Sequence, residues 1–310
     1  MIRSPPLLAL ALAAMPLGAT PRGEAVHAVL IDLQTADMRV AAIGWRLLTA
    51  NASRCPRQMP GTGLVLHGLD QYPPGPAREA ALALQPGLGK LTVLGVVPGS
   101  PAAAAGLAAG DAIESIGGQP LSALPLNSSH ASALRDAAER ELAGLPPAAP
   151  VVLGVRRGAE QRSVTLAAVP ACRSRLEVVA GEALRARSDG ELIQIGQGFA
   201  ASLSDDGLAL VLAHELAHTV LDHHRGAKAG ATTLARRERK AMSRRLEDEA
   251  DLLSLELLSG AGWDPAIAPR FLRQQAKALD RFASGGVHRK AADRAERMER
   301  ALAGASPDAG

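Results

Sequence analysis

The sequence predicts an α+β chain in which a mainly helical unit is interrupted by a β-rich insert. Three observations carry this. Apolar residues recur at helical spacing toward both ends of the 310 residues. Between Cys55 and Cys172 the texture changes to short apolar runs broken by Gly and Pro. The two cysteines flank that stretch closely. The length suits about two domains. Aromatics are only 2% of residues, so the core must be built from Leu, Val, Ala and Ile. The formal charge is +3 with the Arg residues dispersed, which gives no basic stripe for nucleic acid.

Taken in order, residues 1–19 read as a secretory signal peptide. Arg3 supplies the positive start, Leu7 to Ala14 the short apolar run, and Gly18 and Ala19 the small residues before cleavage after Ala19. Leu17 stands where a small residue is preferred. The run is shorter than the roughly 20 residues that span a bilayer, and no Cys follows it for a lipid anchor. In an exported chain the even pair Cys55 and Cys172 reads as a disulfide, two unpaired thiols being the alternative. Residues 24–57 suit one helix or two, with Val40, Ile43, Leu47 and Leu48 on a common side. Within 61–169, Leu91 to Val97, Val151 to Val155 and Ser163 to Val169 read as strands, the last two joined through a turn at Arg157-Gly158. Ser129 to Leu142 has helical periodicity, and Leu145 to Pro150 is a connector.

One part of this insert has a specific likeness. Val97-Pro98-Gly99-Ser100-Pro101-Ala102, then Ala105-Gly106-Leu107, then Gly110-Asp111-Ala112-Ile113 resembles the core signature of a bacterial, HtrA-type PDZ domain. The local physics agrees: Ser100 caps a short Ala-rich helix, Gly106 ends it, and Gly110-Asp111 turns into another strand. The resemblance implies capture of peptide C-termini on a sheet edge. Gly61, Thr62, Gly63 and Leu64 are the candidates for amides that hold the terminal carboxylate. The alternative is a structural β-module without a ligand. The cysteines then place the insert inside the helical unit, with a Cys55–Cys172 bridge at its base.

The chemistry lies downstream. Leu208 to Arg225 reads as a buried helix with Ser204 and Asp205 as N-cap candidates. Within it stands His214-Glu215-Leu216-Ala217-His218, the H-E-x-x-H pattern. Positions i and i+4 share a helix face, so both imidazoles can reach one Zn²⁺. Glu215 is the candidate general base toward the attacking water. A second helix, from about Arg244 to Ser259, carries Glu247-Asp248-Glu249-Ala250-Asp251. Two His and one Glu are a standard set for one catalytic zinc, which makes Glu247 the third ligand. Asp251, one turn on, would orient a ligand histidine. A solvated acidic face is the alternative for both carboxylates.

The H-E-x-x-H and E-x-x-A-D combination resembles the zinc metallopeptidase family of HtpX-type proteases and CAAX prenyl endopeptidases. That likeness implies a zincin-type domain over 171–303 with His214, His218 and Glu247 as ligands. It extends to Ala261-Gly262-Trp263-Asp264-Pro265 and to His288–Arg294, where Arg289 replaces the family's Pro. By resemblance His288 faces the substrate oxyanion and Arg294 supports it; two surface residues are the alternative. Ala186 to Gly198 resembles the family's strand pair, with Arg185-Ala186 in place of Asn-Ala, and Glu191 to Ile195 reads as an edge strand that takes extended substrate. The basic run from Arg236 to Arg245 reads as a solvated loop, a lid or a peripheral contact with anionic lipid being the alternatives. His223 and His224 read as surface residues at a helix end, an added regulatory metal ligand being the alternative. The expectation is an exported zinc endopeptidase of the bacterial periplasm or envelope, acting on polypeptides in protein quality control, with no transmembrane span beyond the signal peptide. A non-catalytic, chaperone-like PDZ adaptor with a structural or decayed metal site is the rival.

Overall fold

The structure is a computed structural model that describes residues 21–181, 185–225, 235–282 and 289–304. The expected signal peptide and His288 lie outside the described residues. Helix α1 (Pro21–Ala50) is continuous, not split in two. Its buried positions Ala36, Val40, Ile43, Leu47 and Leu48 recur every three or four residues and face the core. Asn51 follows, fully buried, and its amide donates to the Leu47 and Leu257 carbonyls, both at 2.9 Å.

The chain then leaves the helical unit through β1 (Gln58–Gly61) and returns through β8 (Val169–Cys172). The two pair antiparallel from Gln58 opposite Cys172 to Gly61 opposite Val169. Below them lies the Cys55–Cys172 disulfide, as the cysteine pair led one to expect. Between these strands sits the insert: β2 (Leu64–His67), α2 (Pro76–Leu84), β3 (Thr92–Val96), α3 (Pro101–Ala104), β4 (Ala112–Ile116), β5 (Gln119–Pro120), α4 (Ala133–Gly144), β6 (Val151–Arg157) and β7 (Glu160–Leu166). Its antiparallel sheet runs β2-β3-β4-β6-β7, with β5 paired to β4. Leu66, Val93, Ile113, Leu153 and Leu166 of the sheet meet Ala138 and Leu142 of α4 in one core.

The turns form where small and polar residues stood. Ser100 accepts a hydrogen bond from the Ala103 amide at 3.3 Å, and Gly106 leaves α3 at φ +73°. Asp111 does more than turn the chain. Its buried carboxylate accepts from the Ala108 amide and holds the Arg157 guanidinium at 2.6 and 2.7 Å, pinning the β6–β7 hairpin.

Beyond β8 come β9 (Arg175–Val179), β10 (Ala186–Ser188), β11 (Leu192–Gly196), α5 (Gln197–Ser202), α6 (Asp205–Val220), α7 (Arg236–Gly260), α8 (Ile267–Phe282) and α9 (Ala291–Leu302). Here three expectations change. The strand read at 191–195 is β11, but it is central: the order is β10-β11-β9, so β10 forms the edge. Period-two alternation tells which face is buried, not which neighbour is present. Helix α6 stops at Val220 rather than Arg225, because Asp222 adopts φ +53°. The basic run from Arg236 to Arg245 is the first half of α7 rather than a loop. Its start is held by Glu238, whose carboxylate accepts from the Ala235 amide at 2.9 Å.

Helix α6 begins as its sequence suggests. Ser204 caps it through the Gly207 amide at 3.2 Å, and Asp205 and Asp206 occupy the first turn, where negative charge suits the helix dipole. Arg39 of α1 grips this end, donating to Asp205 at 2.6 Å and to the Ala200 and Leu203 carbonyls. Leu208, Leu212 and Leu216 of α6 pack with Leu257 and Leu258 of α7 and with Ile193, Ile195 and Leu47. Among the described residues no helix is long and apolar enough to cross a membrane.

Candidate functional site

Because α6 turns Leu208, Leu212 and Leu216 into the core, His214, Glu215 and His218 emerge together beside α7. Fully buried Ala250 of α7 belongs to the same core. One turn apart on α7, Glu247 reaches both histidines and Asp251 reaches His214. His214 Nε2 lies 3.2 Å from Glu247 Oε2 and 3.2 Å from His218 Nε2, and His218 Nε2 lies 3.6 Å from Glu247 Oε2. These three are the group among the described residues whose ligand atoms could hold a metal ion.

The donor set fits zinc. Bonds of about 2.0–2.1 Å in a tetrahedron separate the ligand atoms by about 3.3 Å, close to the three spacings found. The electrostatics point the same way. Burial disfavours a proton on His214, but the Asp251 and Glu247 carboxylates outweigh it and hold its pKa up at about 10. Two anions facing one imidazole call for a cation, and a divalent ion can take that place.

Asp251 sits behind His214, with Oδ1 3.0 Å from Nδ1. A proton on Nδ1 shared with this carboxylate leaves the Nε2 lone pair turned toward His218 and Glu247. Burial works against ionisation of Asp251, yet Arg294 and His214 hold its carboxyl well below the usual range. Arg294 clamps it from α9, Nε to Oδ2 at 2.7 Å and Nη2 to Oδ1 at 2.6 Å. Its guanidinium is thus tied to Asp251, and His288, the residue it was expected to support, lies outside the described residues. Arg289 donates from Nε to both carboxylate oxygens of Asp248, at 3.0 Å to Oδ1 and 2.9 Å to Oδ2.

His223 does not take the surface place expected at the helix end. It is buried, with Nδ1 3.0 Å from His218 Nδ1 and Nε2 3.2 Å from Glu249 Oε2. Burial and the neighbouring His218 push its pKa down. Periodicity could not place it, because the chain leaves helical geometry at Asp222. Glu215 lines two cavities that meet at His214. One, of about 220 Å³, is walled by Phe199, Val211, Phe271 and Leu279. The other, of about 340 Å³, is walled by Ser188, His218 and Glu247. Ala186 of edge strand β10 borders both. Ser188 fixes this strand to α6 through Thr219, at 2.9 Å between hydroxyls.

A separate groove lies at the insert. The unpaired edge of β2 and Leu142 and Ala143 of α4 border a cavity of about 150 Å³, with Gly61, Thr62, Gly63 and Leu64 along one side. Gly63 has φ +72°, and a Cβ there would come within 2.1 Å of the Ser100 Cβ, so no larger residue fits. The Gly63 carbonyl accepts from Val97 and the Thr62 carbonyl from Ala102, which fixes the loop. The Leu64 amide donates to Thr62 Oγ1 at 3.3 Å. The remaining wall is unexpected: Asp37, Ala41 and Trp45 of α1 and Leu176 and Val178 of β9 belong to the helical unit. Burial lifts the Asp37 carboxyl to about 7 against the pull of Arg135.

A model of the PDZ domain family matches residues 92–142, from β3 into α4. The insert thus contains a PDZ domain, and its groove is bordered by the PDZ helix α4. No curated protein and no solved structure matches the chain.

Proposed function

We propose that the chain is a zinc-dependent endopeptidase whose PDZ domain takes polypeptide C-termini. The observation that carries this is the convergence of His214, His218 and Glu247 from two helices at the spacing of a tetrahedral ligand set. The resemblance to the HtpX-type and CAAX prenyl endopeptidase family supports the same three ligands. When bound there, Zn²⁺ supplies Lewis-acid polarisation of the scissile carbonyl and of water.

The chain's own residues do the rest. Glu215, at the junction of the two cavities, takes a proton from the attacking water and passes it to the leaving amine. Asp251 holds His214 in the tautomer that ligates through Nε2, and Arg294 holds Asp251. Extended substrate pairs with the free edge of β10, which brings its main chain past His214 and Glu215. The disulfide favours an oxidising compartment outside the cytosol, such as a bacterial periplasm. There the substrates would be envelope polypeptides.

The PDZ match favours a second reading, a peptide-binding adaptor without turnover. Elemental analysis of the purified protein, with hydrolysis of fluorescent casein by wild type and Glu215→Gln, separates the two. The peptidase reading expects about one zinc in each and turnover only in the wild type. Zinc-free wild type, or equal behaviour of the two proteins, would overturn it.

A further inference from the structure

The two histidines of the candidate metal cluster are backed differently, and the difference assigns work to a residue outside the H-E-x-x-H pattern. His214 turns Nδ1 to a carboxylate. His218 turns Nδ1 to another imidazole, His223, at 3.0 Å, and His223 turns its far nitrogen to Glu249 at 3.2 Å. Hydrogen-bond logic fixes the order of protons along this row. To ligate through Nε2, His218 must carry its proton on Nδ1. His223 Nδ1 must then accept, so His223 carries its own proton on Nε2 and donates it to the Glu249 carboxylate. Each nitrogen in the row has one partner and one allowed role.

Backbone and packing hold the row in place. Asp222 at φ +53° is the described non-glycine residue with positive φ. Asp is among the non-glycine residues that tolerate this conformation, and here, in the turn after Val220, it ends α6 and carries His223 back beneath His218. His223 is buried, whereas Glu249 lies at the surface. The row therefore runs from the cluster out to an anion at the solvent boundary.

We propose that His223 is a positioning residue, which fixes the tautomer and ring orientation of His218 for metal binding and is itself oriented by Glu249. The proposal rests on the metal-site reading of His214, His218 and Glu247. Its effect is a tighter site: outer partners of ligand histidines are worth about 10–100-fold in metal affinity.

The test measures zinc affinity by competition with a chromogenic chelator, and the visible absorption of the Co²⁺-substituted protein. His223→Leu removes the acceptor and is expected to weaken zinc binding about 10–100-fold and to shift the Co²⁺ bands. His223→Asn keeps an acceptor near the Nδ1 position and is expected to stay within about threefold of wild type, a rescue that filling space alone would not give. Glu249→Leu, at a surface position that tolerates the change, is expected to lose several-fold, so the proposal stays testable if the buried Leu variant fails to fold. Wild-type affinity and unchanged Co²⁺ bands in both Leu variants would overturn the proposal and leave the metal site standing. Wild-type protein that binds neither metal would overturn both.

Discussion

Replacing Arg294 by Met tests the packing behind the cluster. The side chains of Arg294 and Asp251 are only 14% and 6% exposed, and they share two short hydrogen bonds. Met fills much of the arginine stem but leaves the Asp251 charge buried beside His214. Removing one partner of a buried pair costs about 3–5 kcal/mol. For a unit of this size each kcal/mol moves the melting point by about 2–4 °C, so a fall of about 6–20 °C is expected. The double variant Asp251→Asn with Arg294→Met removes the stranded charge and should recover about 2–3 kcal/mol of that loss. Calorimetry or circular dichroism of the four proteins at pH 7, at fixed zinc, gives the cycle. A single-variant loss under about 1 kcal/mol, or strictly additive effects, would refute the reasoning.

Two further outcomes follow from the insert. Ala41→Trp places an indole in the cavity of about 150 Å³ from the α1 side. Affinity for fluorescein-labelled peptides ending in Leu or Val, read by anisotropy, should fall at least about tenfold, with zinc content unchanged; unaltered affinity means that peptides do not lie between α1 and α4. His67 is buried, bonded to Tyr72 and Gln85, and burial lowers its pKa from 6.5 to about 4. The unfolded chain then binds the extra proton across that window, so stability is lost as pH falls from about 6.5 to 4, by about 3 kcal/mol in all. Urea midpoints of wild type and His67→Gln at pH 7 and pH 4.5 should show the steeper acid loss in the wild type alone, and parallel losses would contradict the assignment.

How far the sequence reached depended on whether local rules governed a residue. The i, i+4 spacing of His214 and His218 and the one-turn step from Glu247 to Asp251 are set by helix geometry, and the structure brings all four side chains together. Ser100 and Gly106 were likewise legible, since caps and left-handed helix ends follow from single residues. Neighbours across the fold were not. Nothing in Leu192 to Ile195 tells that β10 lies outside β11. The run from Arg236 to Arg245 is helical although its charge suggested a loop. Its pattern is strongly cationic, and Glu249, which lies 3.7 Å from Arg245, stands four residues further on. His223 and the α1 wall of the peptide groove depend on a turn and on domain packing, which periodicity does not encode.

The paired strands β1 and β8 have a consequence for how such a chain can be rebuilt. Gly61 faces Val169 across the last rung, and the cysteine Cα atoms stand 5.3 Å apart at the foot of the ladder. In form this is a β-hairpin whose loop has grown into a whole folding unit. A two-residue Asn-Gly turn is the natural closure for such a ladder. Residues 62–168 can therefore be cut out and the cut ends rejoined without rerouting the remaining polypeptide, and a different recognition module can be grafted at the same joint.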